Sequence, residues 1–426
     1  CLLWSCGRER LIPLMTTSGQ RSGCAAAFGK TCRIRVFTAA GKETSEGMEQ
    51  VSIIVPVFHG RKYIDSMIAQ MEVCATACRG RCTLELLFVN DDPDEVIGSL
   101  TSEKIKIRVM ETNVNRGIHG ARVYGLEQCT GDYVLFLDQD DRIVPSYFLS
   151  QVSHLGKADA VVCKLLHEGR QYYDTRMPFE KVISREHIVG TGNSIISPGQ
   201  VLIRKSKIPE IWRSVKLKNN GADDWLLWLC MLGTDAVFAL NTEILFEHVV
   251  EGGNESLNTF HMMASEEEVY GIASVRKIFP KEELDKLRRA VEMAKESHIR
   301  MLSKFQKMFF IYDQWFGLQE RGKYIHEFLR KSGISSVAIY GDSYIGKRLY
   351  HSLRGNGIEV KYFIDQNAEY LEEEIPVYLP NNLLPQVDRI IICLAEQVDE
   401  IRGSLTALSG TRVCSISELI NDIRDA

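Results

Sequence analysis

One stretch limits what this chain can fold into: Gly131-Asp132-Tyr133-Val134-Leu135-Phe136-Leu137-Asp138-Gln139-Asp140-Asp141. The apolar residues Tyr133 to Leu137 are too few for a helix and suit a strand buried on both faces. Three carboxylates in the next four positions then stand at the strand's carboxyl end, the edge where open α/β sheets bind ligands. Like charges this close repel unless a cation or several donors compensate them. A hard divalent ion with oxygen ligands, Mg²⁺ or Mn²⁺, is the natural partner. A solvated acidic turn is the competing reading of the same residues.

The flanking sequence favours the sheet edge. Val51 to Phe58 is a β-branched apolar run with Pro56 near its end, Leu84 to Val89 runs into Asn90-Asp91-Asp92-Pro93, and Ile105 to Met110 is a third such run. Tyr63 to Met71 and His119 to Cys129 carry helical apolar spacing between them. Strands alternating with helices imply βαβ units in a mainly parallel sheet with right-handed crossovers. The acids after Val89 and after Leu137 are therefore expected to flank one crevice. Further on, the pattern predicts a helix over 145–155 and a strand over 158–164. A polar segment over 167–188 follows. The turn-rich Gly190–Ser194 and Ser197–Gly199 then lead into a strand at Gln200–Ile203 and read as a loop. A helix opening at Asp223-Asp224-Trp225 carries Trp225, Leu226, Leu229 and Leu232 on its apolar side. His248 and Asn254-Glu255-Ser256 read as a closing polar loop.

At 426 residues the chain has room for two or three domains. A net charge of −5 gives no basic face for nucleic acid. No window of 18 apolar residues would span a membrane. The twelve Cys are irregularly spaced, and Cys163, Cys230 and Cys393 sit inside apolar runs, which points to reduced thiols and a cytoplasmic protein. Cys74, Cys78 and Cys82 recur every four residues, as one helix stripe or as a zinc site short of a ligand. Residues 1–47 begin with Cys and lack periodicity or a signal-peptide h-region; they read as an unstructured upstream extension before Met48, or as a targeting segment.

After a first domain over 48–262, residues 263–332 are charged with helical apolar spacing: two or three helices, with Pro280, Glu282 and Glu283 at a helix start. Leu287, Val291, Met293, Ile299, Leu302 and Phe305 are expected to form a core stripe. A small Rossmann-like α/β unit over 333–426 has strands at 337–340, 360–364 and 389–394 and a glycine turn at Gly341–Gly346. In a dinucleotide fingerprint the turn's middle position is Gly; here it is Ser343, with Asp365 at the next strand end. NAD(P) binding there, or a cofactor-free packing or dimerisation role, are both open.

The succession VSIIVPVF, VNDDPDE, Asn115-Arg116-Gly117, GARVYGLEQCTGDYVLFLDQDD and GADDWLLWL resembles the family 2 glycosyltransferases of GT-A fold over about residues 50–260. Two positions depart from the family pattern: Pro93 replaces a Gly-Ser pair, and Val123 stands where the family has Asn. The resemblance implies an inverting, metal-dependent transfer of a sugar from a nucleotide-diphosphate donor, most often UDP. The acceptor would be a saccharide or a lipid-linked molecule in bacterial surface polysaccharide synthesis. Lacking Q-x-x-R-W and membrane helices, the chain would act non-processively, with peripheral contact at the inner face of the membrane, and a homodimer is compatible.

The resemblance also implies roles for particular residues. Pro56, Asp91, Asp92, Asn115, Gly117, Arg122 and Asp138 would surround the nucleotide sugar. Asp140 would hold the metal with Asp141 assisting and His248 nearby, and Asp224, beside Asp223, would be the catalytic base. Each has a structural alternative: an Asx-turn for Asp91 and Asp92, a salt bridge for Arg122, helix capping for Asp223 and Asp224, a satisfied core residue for His248.

Overall fold

A computed structural model describes residues 48–426 apart from 168, 175–176, 250–257 and 372. The extension expected over 1–47 and the loop residues Asn254-Glu255-Ser256 lie outside the described residues. The chain divides into two compact units, the first ending at Lys295 and the second running from Glu296 to Ala426.

The first unit is built on one sheet. Its strands are β1 (Glu49–Val57), β2 (Cys82–Asn90), β3 (Lys106–Glu111), β4 (Tyr133–Phe136), β5 (Arg142–Ile143), β6 (Ala160–His167), β7 (Arg170–Gln171), β8 (Val201–Arg204) and β9 (Phe238–His248). They are ordered β3-β2-β1-β4-β8-β6-β9-β5, with β7 on β6. β3, β2, β1 and β4 are parallel, β8 runs against both β4 and β6, and β6 and β9 are parallel again. This is the mixed, mainly parallel sheet that the sequence implied. The buried β-branched runs form its centre, and Ile53, Leu86, Leu135 and Val161 are fully excluded from solvent.

Helices α1 (Ile64–Ala77) and α2 (Gly117–Gln128) make the crossovers between the parallel strands, and α3 (Tyr147–Leu155) packs on β6 and β9. A Cβ at Gly125 would fall 2.5 Å from Ile54 Cγ2 and 3.0 Å from Val89 Cγ2, so glycine there lets α2 lie close on β1 and β2. Buried Glu85 on β2 closes a polar knot beneath the sheet. It accepts from Ser52 Oγ and from Thr130 N and Oγ1, and it pairs with Lys106 at 2.8 Å.

Three expectations need correcting. His248 is not in a loop; it ends the eleven-residue β9, a strand the sequence hid. Register shifts on either side of Lys164 break the β6–β9 ladder, and the bulges disrupt the alternation by which a strand is recognised. Helix α6 (Asp223–Gly233), which follows α4 (Arg185–Gly190) and α5 (Glu210–Ser214), has no solvent face: every residue from Asp223 to Leu232 is buried. The cysteines do not share a helix, since Cys82 begins β2; all three are buried thiols, and Cys78 Sγ donates to the Ala75 and Cys82 carbonyls.

Three helices follow: α7 (Thr259–Val275), α8 (Lys281–Glu320), starting next to Pro280, and α9 (Ile325–Lys331). Of the expected core stripe on α8, only Leu287 and Val291 are buried; Met293, Ile299 and Phe305 are exposed and Leu302 is half-buried. The second unit holds a five-stranded, wholly parallel sheet. Its strands are β10 (Ser336–Tyr340), β11 (Glu359–Ile364), β12 (Val377–Tyr378), β13 (Arg389–Ile392) and β14 (Val413–Ser415), in the order β12-β11-β10-β13-β14. Apolar cores cover both faces of this sheet, as a doubly wound unit requires.

Candidate functional site

The acids meet at the carboxyl edge of the first sheet because β2 and β4 lie on either side of β1 and run parallel to it. Pro56 and Val57 of β1 pair with Val89 and Asn90, and the Leu137 N–H continues the ladder on the other side to the Ile54 carbonyl. The Asp91 N–H donates to the Val57 carbonyl. The loop after β1 is tied in both directions. The Gln139 amide exchanges hydrogen bonds with the backbone of Phe58, and His59 donates to Asp92 from its N–H and lies 2.8 Å away through Nδ1.

Asp91 and Asp92 are both buried. Asp91 accepts from the Arg116 N–H through both oxygens, at 2.9 and 3.0 Å, and thereby orients the start of α2; burial raises its carboxyl. The Asp94 N–H and His59 hold Asp92 below the usual carboxylate range. Asn115 Oδ1 accepts from the Gly117 N–H, and Gly117 sits at φ 72°, where a side chain would also strike Asn220.

Arg122, in mid-α2, is the hinge of the arrangement. Its buried guanidinium reaches both oxygens of Asp223 at 3.0 and 2.8 Å through Nη1 and Asp138 at 2.5 Å through Nη2. One cation thus fastens the end of β4 to the start of α6, and Arg122 makes a salt bridge that joins two of the expected site acids. Its Nε is buried without a hydrogen-bond partner. Asp223 also anchors the helix by accepting from Trp212 Nε1 through its carbonyl. Asp224 accepts from Asn193 Nδ2 at 2.9 Å and from the Trp225 N–H. Burial, with Asp223 beside it, pushes the Asp224 carboxyl up to about 7. The helix dipole, expected to favour the ionised form, is outweighed by desolvation.

On the other flank Asp141 is fully engaged. It accepts from Ser197 Oγ at 3.0 Å and the Val249 N–H at 3.0 Å, and His248 Nδ1 lies 2.9 Å from it. Burial works against a charged His248, but this contact and the neighbouring acids raise its pKa overall. His248 pairs in register with His167 across β6 and β9, and the two rings stack at 5.3 Å. Asp140 is half-buried, and burial together with the charges of Asp141 and Asp138 pushes it up to about 7. A cavity of about 500 Å³ opens beside Asp140 and Asp141, walled by Tyr63, Gln70, Phe246 and Glu247. Asp91 and Asp224 are not in its lining; their link to these acids runs through β1 and Arg122.

Among the described residues no three metal-ligating side chains converge on one point. Mg²⁺ and Mn²⁺ sites that act on phosphates take only one or two carboxylates and complete their shell with phosphate oxygens and water. Asp140, whose ionised form is disfavoured by burial and the neighbouring acids and would be favoured by a cation, fits that donor set. Asn193, Ser197, Gln139, His59 and His167 escaped the sequence reading as individuals. The only hint was the turn-rich segment that carries the first two.

The glycine turn of the second unit does not fit a dinucleotide. Gly341 makes it at φ 97°, and Ser343 Oγ caps α10 (Tyr344–Leu353), accepting from Gly346 N and donating to the Cys393 carbonyl. The buried Asp342 carboxylate faces Lys347, which also pairs with Glu373, and the Asp342 N–H is taken by Asp365. A pyrophosphate arriving at this helix start would meet three acids, Asp342, Asp365 and Glu373, which repel it.

Residues 52–212 match the family model described as Glycosyl transferase family 2. An uncharacterized glycosyltransferase of Haemophilus influenzae is 28% identical over 114 residues, covering 25% of this chain and 43% of its own. The minor teichoic acid biosynthesis protein GgaB of Bacillus subtilis is 30% identical over 128 residues, covering 28% of this chain and 14% of its own. Among solved structures, S. aureus TarS 1-349 in complex with UDP-GlcNAc aligns at a TM-score of 0.42 with 15% identity, covering 57% of this chain and 72% of that one. The matched part of the chain spans less than half the length of either curated relative.

Proposed function

We propose, on the premise that residues 52–212 are a family 2 glycosyltransferase domain, that the protein moves one sugar at a time from a UDP-sugar to a saccharide or lipid-linked acceptor in bacterial surface polysaccharide synthesis, with inversion. The observation that carries this reading is the Arg122 bridge, which draws Asp138 toward Asp223 and so sets the acids after β4 next to a carboxylate poised near neutrality.

In this reading Asp91, Asp92, Asn115, Gly117 and Pro56 flank the nucleotide, and Asp138, steadied by Arg122, faces the ribose hydroxyls. Asp224 takes the proton of the acceptor hydroxyl as that oxygen attacks the anomeric carbon from the side opposite the diphosphate, whose bond to the sugar breaks as the new one forms. Asn193 holds the Asp224 carboxylate in place. Mg²⁺ or Mn²⁺, held by Asp140 with Asp141 and His248 alongside, would neutralise the departing diphosphate. Asp141, already bound by Ser197, His248 and Val249, positions the loop more than it offers a free oxygen. We assign the transfer to residues 48–262, the helices to 263–332, and a packing or dimerising role to 333–426.

A panel of nucleotide sugars, each with and without Mn²⁺, tests the reading through thermal unfolding and nucleoside diphosphate release. One donor at roughly a hundred times its Kd should add about 2.7 kcal/mol of stability, which for a unit of this size is a rise of about 5–10 °C. The same donor should release its diphosphate. A panel with neither a shift nor release would defeat the proposal.

A further inference from the structure

Helix α8 carries, within the second unit, a side that no described residue of that unit covers. Met301, Phe305, Phe309 and Phe316 follow one another along it at helical spacing with half-buried Tyr312 between the last two, and Phe305, Phe309 and Phe316 are 54%, 65% and 56% exposed. Folded monomers rarely leave so many large apolar groups together in water; such a patch marks a membrane or a partner. A second row on the same helix, Arg300, Lys304 and Lys307, continues into Ile311, Trp315 and Leu318, which are buried in the unit's core. The core therefore fixes which way the aromatic row points.

Charge selects the occupant. From Ser297 to Phe316 the sequence has three Lys or Arg side chains and one acid, the exposed Asp313, in a chain whose net charge is −5. Lys307 meets Glu396 at 2.9 Å, and the charges of Lys304 and Arg300 act on the same carboxylate. Two copies packed along the aromatic row would bring six cations from these segments together. An anionic lipid surface instead receives both rows, the rings entering the acyl boundary while the long basic side chains reach the headgroups. Among the described residues no helix is long and apolar enough to cross a membrane. We propose that residues 297–316 are an in-plane docking helix for an anionic membrane surface. That this brings the first unit to a lipid-linked acceptor rests on the function proposed above; the docking itself does not.

Flotation of the full-length protein with vesicles of phosphatidylcholine, alone or with about 30% phosphatidylglycerol, reads the docking directly. The protein should float with the anionic vesicles only, and less at high salt. Phe305→Ser/Phe309→Ser should weaken binding at least ~30-fold, and Arg300→Gln/Lys304→Gln about 10-fold at low salt only. Both variants should keep the wild-type thermal midpoint and donor turnover in solution. Failure of the wild type to float with anionic vesicles, or equal flotation of the Phe variant, overturns the proposal. So does a wild-type dimer that the Phe variant turns into a monomer, because the row is then a self-association face. Flotation needs no turnover, so a failed glycosyltransferase assignment would leave this result standing, and the reverse.

Discussion

Asp224→Asn is expected to lower kcat by about 10²–10⁴ with little change in the donor KM, because it removes the acceptor's base and keeps its shape and its contact with Asn193. The wild-type rate should rise with pH and level off above the Asp224 value of about 7. The variant's residual rate should lack that limb. Stability gives an independent check. Asp224 is raised from 3.8 to about 7 on folding, so the native state holds a proton that the unfolded chain has released, and stability falls as pH climbs through that window. Asn has no charge to bury. The variant should therefore unfold at the wild-type temperature near pH 4 and at a higher one near pH 8. Full activity with an unchanged pH profile would remove Asp224 from the mechanism.

Arg122→Ala should be the most destabilising change in the site, by about 3–5 kcal/mol in denaturant unfolding, because it strands buried Asp223 and the partly buried Asp138 without their cation. Arg122→Lys should recover little, since one ammonium cannot reproduce a fork that grips two carboxylates. The charge of the guanidinium also lowers the Asp224 pKa, so in a folded variant that lacks it, such as Arg122→Gln, the rising limb of the pH–rate profile should move upward. A purely structural arginine would leave that limb where it was. Comparing kcat against pH for the Gln variant and the wild type separates the two.

How much of this could be read from the sequence depended on distance along the chain. β1, β2 and β4 are contiguous apolar runs, and acids following such runs in a parallel sheet must share an edge, so Asp91, Asp92, Asp138 and Asp140 were legible. The resemblance alone singled out Gly117 and Asn115, because nothing local requires a tight helix start there. What the residues did was harder to see than where they stood. Arg122 finds Asp223 at a separation of 101 residues and Asp141 finds His248 at 107, and no local pattern encodes such pairings. Asn193 and Ser197 belong to a turn-rich segment whose composition announced a loop but not its targets. β9 was lost because bulges opposite Lys164 spoil its alternation, and α6 was misjudged because a helix buried on every side leaves no polar face to define an apolar one. The row on α8 went astray for the opposite reason: helical spacing of apolar residues looks the same whether the row faces a core or solvent.

In the proposed reaction Asp140 and a divalent ion together hold the donor's diphosphate beside the acids after β4. Calorimetric titration of the donor nucleoside diphosphate into wild type and Asp140→Asn, with Mn²⁺ and with chelator, tests it most directly. Mn²⁺ should tighten binding to the wild type by at least ~10-fold and leave the variant almost unaffected. Equal tightening in both proteins, or none in either, would contradict it.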